Sequence, residues 1–207
     1  MRHPFNKEKV LIKYYEQVNL RPLSELDAEP DLVLKEGCEI AEALGYEPLL
    51  ASGTLLGIVR DKKLIPHDTD LDVNILVDKE SRVLTVDGFK EFIKVYNLKG
   101  FRVIRVMLYH GTLMQVVFKK GAVIFDVEFI HKDLLFDWYT TVHEHGYYRY
   151  DKKFYEDLGT TTFKGVQYKT PHPVKMYLAH RYGLGWKKPT KEKGKWEEQA
   201  GNLVLWK

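Results

Sequence analysis

The order of apolar and polar residues along the chain predicts a succession of helices and strands. Apolar residues at helical spacing predict a helix over residues 5–19 and a second one over residues 31–44, which Gly45 ends. A short strand over residues 48–51 then leads into a helix that reaches Arg60. The first part of the chain is thus predicted to be mainly helical.

Strict alternation over residues 70–77 predicts a strand with two different faces. Asp70, Asp72, Asn74 and Leu76 fall on one side, whereas Leu71, Val73, Ile75 and Val77 fall on the other. Because the second set is entirely apolar, we expect it to face a hydrophobic core. The aspartates then lie on the opposite side.

The remaining pattern completes the prediction of the fold class. It indicates a helix over residues 89–96, strands over 101–108, 113–118 and 122–130, a helix over 173–182 and a final short helix over 196–205. The fold class is therefore α+β, a mixed sheet flanked by helices with a helical C-terminal segment. We expect one domain over residues 1–207, with N-terminal helices at 1–45, a catalytic sheet core at 46–131 and a basic, mostly helical part at 132–207.

Composition excludes several classes of protein. The 207-residue chain has 44% hydrophobic and 29% charged residues, which is typical of a globular domain. The single cysteine, Cys38, excludes a disulfide framework, no apolar run is long enough for a membrane span, and no signal peptide is visible. We therefore expect a cytoplasmic protein. The net charge is +3, and residues 152–207 are basic but lack a nucleic-acid-binding pattern, so no stable nucleic-acid complex is expected.

Asp70 and Asp72 predict a site for a divalent metal ion. Residues i and i+2 of a strand project from the same face, so the two carboxylates lie side by side. Adjacent carboxylates repel each other unless a cation lies between them, and Mg²⁺ or Mn²⁺ takes such oxygen ligands. The alternative is a solvated strand edge, against which the apolar half of this strand argues.

A third carboxylate is expected from a neighbouring strand. Asp126 is the leading candidate because it stands inside an apolar run, where an acid is costly unless it is paired or bound to metal. Glu128 lies on the same side of that strand and is the rival. Asp68 precedes the aspartate strand, and its role is open between an outer metal ligand, a turn cap and a solvated side chain.

The turn Ser52-Gly53-Thr54 opens a helix that carries Arg60 at its far end. Glycine allows a phosphate to approach the backbone, and the amides at a helix N-terminus favour anions. We expect Ser52, Gly53 and Thr54 to contact the phosphates of a donor and Arg60 to bind a phosphate. An ion pair between Arg60 and Asp61 is the alternative.

These segments resemble the LicD family, which includes bacterial phosphocholine transferases and the fukutin-related proteins. The similarity lies in residues 53–60 (GTLLGIVR), 65–73 (IPHDTDLDV), 125–127 (FDV) and 171–189. Two positions depart from the family pattern. His67 stands where an aromatic residue is usual, and Thr69 stands where another acid is common, and both bear on the choice of donor or acceptor.

The resemblance implies a nucleotidyltransferase-like fold and a transfer reaction. By motif, Asp70 and Asp72 are metal ligands, and Asp126 is a metal ligand or the base for the acceptor hydroxyl. The family moves a phosphorylated group, such as phosphocholine or a polyol phosphate, from a CDP-linked donor to a carbohydrate hydroxyl and releases CMP. The reaction depends on Mg²⁺ or Mn²⁺. Arg181, in the last matching segment, is a candidate for binding the donor or an anionic acceptor.

Two other functions stay open at this point. The same fold and carboxylates serve nucleotidyl transfer, in which NMP moves from an NTP to a small molecule such as an aminoglycoside. A degenerate fold that only binds a nucleotide or a partner is the third hypothesis, although a binder has no need of three converging acids.

Overall fold

A mixed β-sheet forms the centre of the structure. The structure is a computed structural model, and it describes residues 10–78, 80–132, 138–142, 146–189 and 203–205. In these residues the strands are β1 (Val10–Tyr14), β2 (Pro48–Leu50), β3 (Leu71–Val77), β4 (Arg102–Tyr109), β5 (Thr112–Lys120), β6 (Val123–Lys132), β7 (Trp138–Val142), β8 (Gly146–Asp151), β9 (Gly159–Phe163), β10 (Val166–Thr170) and β11 (Leu203–Leu205). Their main order is β1-β4-β5-β6-β3-β2-β10-β9, while β7 pairs with β6 and β8, and β11 pairs with β8. β3 is parallel to β6 and β2 is parallel to β10, whereas the other pairs are antiparallel. The predicted mixed sheet is confirmed.

Helices flank this sheet, and two of them cover its apolar face. The described helices are α1 (Pro30–Ala43), α2 (Ser52–Asp61), α3 (Val86–Leu98), α4 (Lys153–Glu156) and α5 (Val174–Tyr182), with 3₁₀ turns at Leu23–Glu25 and Arg82–Leu84. Gly37 of α1 lies against the Phe125 ring of β6, and Tyr96 of α3 stacks on Phe118 of β5 with 4.4 Å between ring centroids. The Tyr96 hydroxyl donates a 2.8 Å hydrogen bond to the Gly37 carbonyl oxygen. α1 and α3 are thereby joined over one aromatic core.

The central part of the chain follows the predicted pattern closely. The helix predicted over 31–44 and the strand predicted over 48–51 are α1 and β2, and the alternating strand is β3. Its apolar residues, Leu71, Val73, Ile75 and Val77, are almost fully buried. None of the helices in the described part of the chain is both long and apolar enough to cross a membrane.

The predicted N-terminal helix over residues 5–19 is wrong where the chain is described. Residues 10–14 form β1, an edge strand that pairs antiparallel with β4, while residues 1–9 lie outside the described residues. The run Val10-Leu11-Ile12 fits helical spacing, but it also has the apolar and β-branched character of a strand. Pairing with β4 decides between the two. The described residues of the 1–45 segment thus form a strand, a 3₁₀ turn and α1, not only helices.

The C-terminal part contains more strand than predicted. The prediction of a mostly helical part over 132–207 is wrong for the described residues, because β7 to β10 lie there beside α4 and α5. In the β9–β10 hairpin, Lys164 and Gly165 form the turn at φ values of 50° and 78°. The helix predicted over 173–182 is confirmed as α5. The helix predicted over 196–205 lies outside the described residues except for 203–205, which form β11.

Gly37→Ala is expected to lower the free energy of unfolding by about 1–3 kcal/mol, because a Cβ there collides with the Phe125 ring inside a packed aromatic core. Urea unfolding followed by circular dichroism measures the change. Glu39→Ala, at an exposed position of the same helix, is the control and should cost less than about 0.5 kcal/mol. Equal stabilities of the two variants would contradict the close packing of α1 on β6.

Candidate active site

Polar residues line one face of the sheet, opposite the aromatic core. Asp72 of β3 lies directly beside Asp126 of β6, and Asn74 lies beside Glu128 in the same register. Residues beside each other on paired strands project to the same face. Asp126 and Glu128 are each 6% exposed, so both carboxyl groups are buried. The parallel pairing of β3 and β6 thus brings together two of the predicted acids.

Three aspartates at the start of β3 form what we call the acidic cluster: Asp68, Asp70 and Asp72. One carboxylate oxygen from each lies within 4.8 Å of the other two, and all three residues are half-buried. Asp70 and Asp72 are therefore adjacent, as predicted. Among the residues that the structure describes, this grouping includes Asp68, whereas Asp126 lies outside it. The predicted role of Asp126 as a metal ligand stays a prediction.

Burial and repulsion between neighbouring carboxylates raise the pKa values of Asp72 and Asp126. The pKa of Asp72 is raised well above its usual range, first by burial and then by the charges of the other two members of the acidic cluster. Burial also raises the pKa of Asp126; the charge of Glu128 adds to this effect and the Arg105 guanidinium opposes it. A cation between such oxygens offsets their repulsion, and hard divalent ions prefer carboxylate ligands. The acidic cluster therefore fits a divalent metal ion.

Asp68 reaches the acidic cluster from a loop that backbone hydrogen bonds hold in place. Its N–H donates to the Ile65 carbonyl oxygen at 3.1 Å, and its own carbonyl oxygen accepts the Leu23 N–H at 2.7 Å. Its Oδ1 also accepts the Thr69 N–H at 3.1 Å. The 3₁₀ turn at Leu23–Glu25 therefore fixes the position of a residue whose role the sequence left open.

The turn Ser52-Gly53-Thr54 begins α2 directly against the acidic cluster. Ser52 has a φ of 40°, a left-handed conformation, and a Cβ on Gly53 would collide with Asp68 Oδ2. The Thr54 hydroxyl accepts the Asp72 N–H at 2.8 Å, so it joins α2 to β3. The absence of a side chain at Gly53 thus leaves room for the Asp68 carboxylate. Contact of these three residues with donor phosphates stays a prediction.

Gly53→Ala is expected to weaken Mn²⁺ binding about 10-fold, an effect typical of residues that support metal ligands. The added methyl group displaces the Asp68 carboxylate, which can move because it ends a side chain, so the melting temperature should change little. Isothermal titration calorimetry with Mn²⁺ measures the affinity. In an Asp68→Ala background the same glycine change should have no further effect, and a separate additional loss would show that Gly53 does not act through Asp68.

The two predicted phosphate-binding arginines are engaged elsewhere in this structure. Arg60 donates from Nε to Asp61 Oδ1 at 3.0 Å and from Nη2 to Asp61 Oδ2 at 2.7 Å, which is the ion pair named above as the alternative. Arg181 lies in α5 and is only 3% exposed, with its guanidinium 5.8 Å from the Tyr182 ring centroid. Little of Arg181 is therefore open to solvent, and the phosphate-binding roles of both arginines stay predictions.

Two polar residues that the sequence patterns did not single out also lie on the polar face. Gln115 of β5 donates from Nε2 to Asp126 Oδ2 at 2.7 Å, and Arg105 of β4 donates from Nη2 to Gln115 Oε1 at 3.0 Å. The signal for Gln115 was its place inside the apolar run 113–118, since a buried amide needs hydrogen-bond partners. Arg105 carried no such signal.

Comparison with protein families gives a match over most of the sheet core. The model of the LicD family, described as the LicD/FKTN/FKRP nucleotidyltransferase domain, matches residues 45–173. This segment includes the acidic cluster and Asp126 but not α5. A search of curated proteins gives no match.

Similar solved structures include ANT(2″)-Ia in complex with adenylyl-2″-tobramycin, at 11% identity, with 68% of this chain and 67% of that chain covered and a TM-score of 0.42. The solution structure of the antibiotic-resistance factor ANT(2″)-Ia is 12% identical, with 83% and 80% covered and a TM-score of 0.46. A nucleotidyltransferase-like protein from Paracoccidioides brasiliensis is 13% identical, with 79% and 69% covered and a TM-score of 0.41. Likeness at this level carries no conclusion about a substrate.

Proposed function

Because the chain belongs to the LicD/FKTN/FKRP family of nucleotidyltransferase domains, we propose that it is a metal-dependent transferase. It moves a phosphorylated group, such as phosphocholine or a polyol phosphate, from a CDP-linked donor to a carbohydrate hydroxyl and releases CMP. The acidic cluster carries this proposal, since its carboxylates lie within 4.8 Å of one another beside the first turn of α2. Such an arrangement suits a reaction at phosphorus.

The acidic cluster supplies the ligands for Mg²⁺ or Mn²⁺ in this proposal. When bound, such an ion neutralises the donor phosphates and stabilises the charge that develops during in-line displacement. One carboxylate oxygen from each of Asp68, Asp70 and Asp72 is close enough to the other two for the three residues to hold one ion. Because these residues are only half-buried, donor phosphates could also reach such an ion.

Asp126 is the proposed base for the acceptor hydroxyl. It lies directly beside Asp72 but outside the acidic cluster, a position from which it can take the hydroxyl proton and also act as a ligand of an ion bound there. The hydroxyl oxygen forms a bond to the transferred phosphorus while its proton passes to Asp126. The bond between that phosphorus and the bridging oxygen of the donor breaks, and CMP leaves with the electron pair.

The N-terminus of α2 is the proposed contact for the donor phosphates. The first amides of a helix have no partners inside the helix and attract anions. Ser52 and Gly53 are in this first turn, whereas the Thr54 hydroxyl is already hydrogen-bonded to β3. The backbone of the turn, next to the acidic cluster, would therefore hold the phosphates close to the metal ligands.

A donor screen tests this function. The full chain is incubated with Mn²⁺ and, separately, with CDP-choline, CDP-ribitol, CDP-glycerol and the four NTPs, together with a panel of oligosaccharides. We expect CMP from one CDP-linked donor, with release that stops when EDTA removes the metal. Asp72→Asn is the negative control, and Asp87→Asn, an exposed aspartate of α3, is the matched control that should keep full release.

Other outcomes of the screen select the other hypotheses. Pyrophosphate from an NTP would replace the proposed reaction by nucleotidyl transfer to a small molecule. Release of CMP that is equally fast in EDTA would contradict the role of the acidic cluster. A chain that binds Mn²⁺ and nucleotide but releases no product from any donor would favour the non-catalytic binding module.

A further inference from the structure

Three side chains form a hydrogen-bonded row across the polar face, from β4 through β5 to β6. Arg105 Nη2 donates to Gln115 Oε1 at 3.0 Å, and Gln115 Nε2 donates to Asp126 Oδ2 at 2.7 Å. Arg105 Nη2 itself lies 3.7 Å from Asp126 Oδ2, beyond direct hydrogen-bond distance. The amide therefore connects the guanidinium to the carboxylate.

The row fixes the orientation of the Gln115 amide. A guanidinium only donates, so the end of the amide that faces Arg105 has to be the oxygen, and the NH₂ end then faces Asp126. Gln115 is 3% exposed and Asp126 is 6% exposed, so water does not compete strongly for these bonds. The Asp126 carboxylate is thereby held through one defined oxygen, Oδ2.

The second oxygen of Asp126 is left available. Asp126 Oδ1 is buried and has no hydrogen-bond partner among the residues that the structure describes. A buried carboxylate oxygen without a partner is costly, and such atoms in folded proteins call for an explanation. Because Asp126 lies directly beside Asp72, Oδ1 belongs to the same face as the acidic cluster.

We propose that Gln115, oriented by Arg105, is a positioning residue for Asp126. Gln115 holds the Asp126 carboxylate through Oδ2, so that Oδ1 stays available to the metal ion bound at the acidic cluster. The inference rests on the proposed function in that it assigns Asp126 to the reaction site. A purely structural role predicts a loss of stability when Gln115 is changed. A positioning role predicts an effect that disappears once Asp126 itself has been changed.

A double-mutant cycle tests this proposal on the full chain, with Mn²⁺ alone as the probe. Gln115→Met keeps the length of the side chain but removes the donor, and we expect Mn²⁺ affinity to fall about 10-fold. In an Asp126→Asn background the same change should have no further effect. Arg105→Met should reproduce part of the loss, and Arg105→Lys, which keeps a donor and the charge, should restore it.

The outcomes separate the two proposals. If Asp126→Asn weakens Mn²⁺ binding and Gln115→Met adds an equal loss in both backgrounds, Gln115 does not act through Asp126 and the inference is overturned. Unchanged affinity in Gln115→Met and Arg105→Met overturns it as well. If the unaltered chain binds no Mn²⁺, the proposed function itself fails and this inference fails with it. Arg105 is partly exposed, so its variants keep the test decisive if Gln115→Met does not fold.

Discussion

Asp72→Asn is expected to lower turnover about 1,000-fold while leaving the fold intact. Losing one charged ligand removes about 4 kcal/mol of stabilisation from the transition state, and each 1.4 kcal/mol corresponds to a factor of about ten in rate. An amide keeps the shape of the carboxylate but not its charge. Steady-state release of CMP from the donor identified by the screen measures the loss.

The control for this prediction is a change of the same chemical kind at a distance from the site. Asp87 is an exposed residue of α3, and the Asp87→Asn variant should leave turnover unchanged. Circular dichroism spectra of both variants should match that of the unaltered chain. An Asp72→Asn variant that keeps full turnover would show that the acidic cluster is not part of the catalytic machinery.

The second large effect concerns the stability of the metal-free chain. Burial and neighbouring carboxylates raise the pKa of Asp72 and of Asp126 in the folded state. The folded state therefore binds more protons than the unfolded state above about pH 4, the usual range of aspartate. Stability contributed by these groups is present below that pH and is lost as the pH rises through the raised pKa values. Asp72→Asn should accordingly raise the melting temperature of the metal-free chain at neutral pH.

Metal binding should reverse this loss of stability. Mn²⁺ at about 100 times its dissociation constant stabilises the folded chain by about 2.7 kcal/mol, because it binds the folded state only. Differential scanning calorimetry at pH 5 and pH 8, with and without Mn²⁺, measures both effects. The Asp72→Asn variant should show a flatter pH dependence and little response to Mn²⁺. Identical pH profiles for both chains would contradict the electrostatic account of the site.

Local patterns predicted the elements whose faces differ most. β3 alternates strictly because its two faces meet different surroundings, an aromatic core on one side and the polar face on the other. The adjacency of Asp70 and Asp72 follows from the geometry of any strand, so the sequence alone could predict it. Asp126 stood out because an acid inside an apolar run is rare without a partner.

Pairing between strands, which the pattern of a single strand does not show, determines the structure of the segments that were predicted wrongly. Residues 10–14 fit a helix by spacing and a strand by residue type, and only the edge of β4 selects the strand. β7, β8 and β9 lack clean alternation of apolar and polar residues. The parallel contact that places β10 in the sheet, Lys169 opposite Leu49 of β2, joins residues that lie far apart in the sequence. Contacts between such distant segments leave no periodic pattern of apolar and polar residues in the sequence.

The same limit applies to the site. Asp68 joins the acidic cluster because a loop is held by the backbone of Leu23, which lies far from it in the sequence. The row from Arg105 to Asp126 depends on the register of three strands, and register is not visible in the pattern of any one of them. Residue types therefore indicated the chemistry, while the fold decided which residues complete it.

Diffraction data collected at the manganese absorption edge, from crystals soaked in Mn²⁺, test the central claim most directly. The account predicts an anomalous peak among the carboxylates of Asp68, Asp70 and Asp72, and the loss of that peak in Asp72→Asn crystals. A peak that persists unchanged in Asp72→Asn, or a chain that binds manganese only elsewhere, would contradict it.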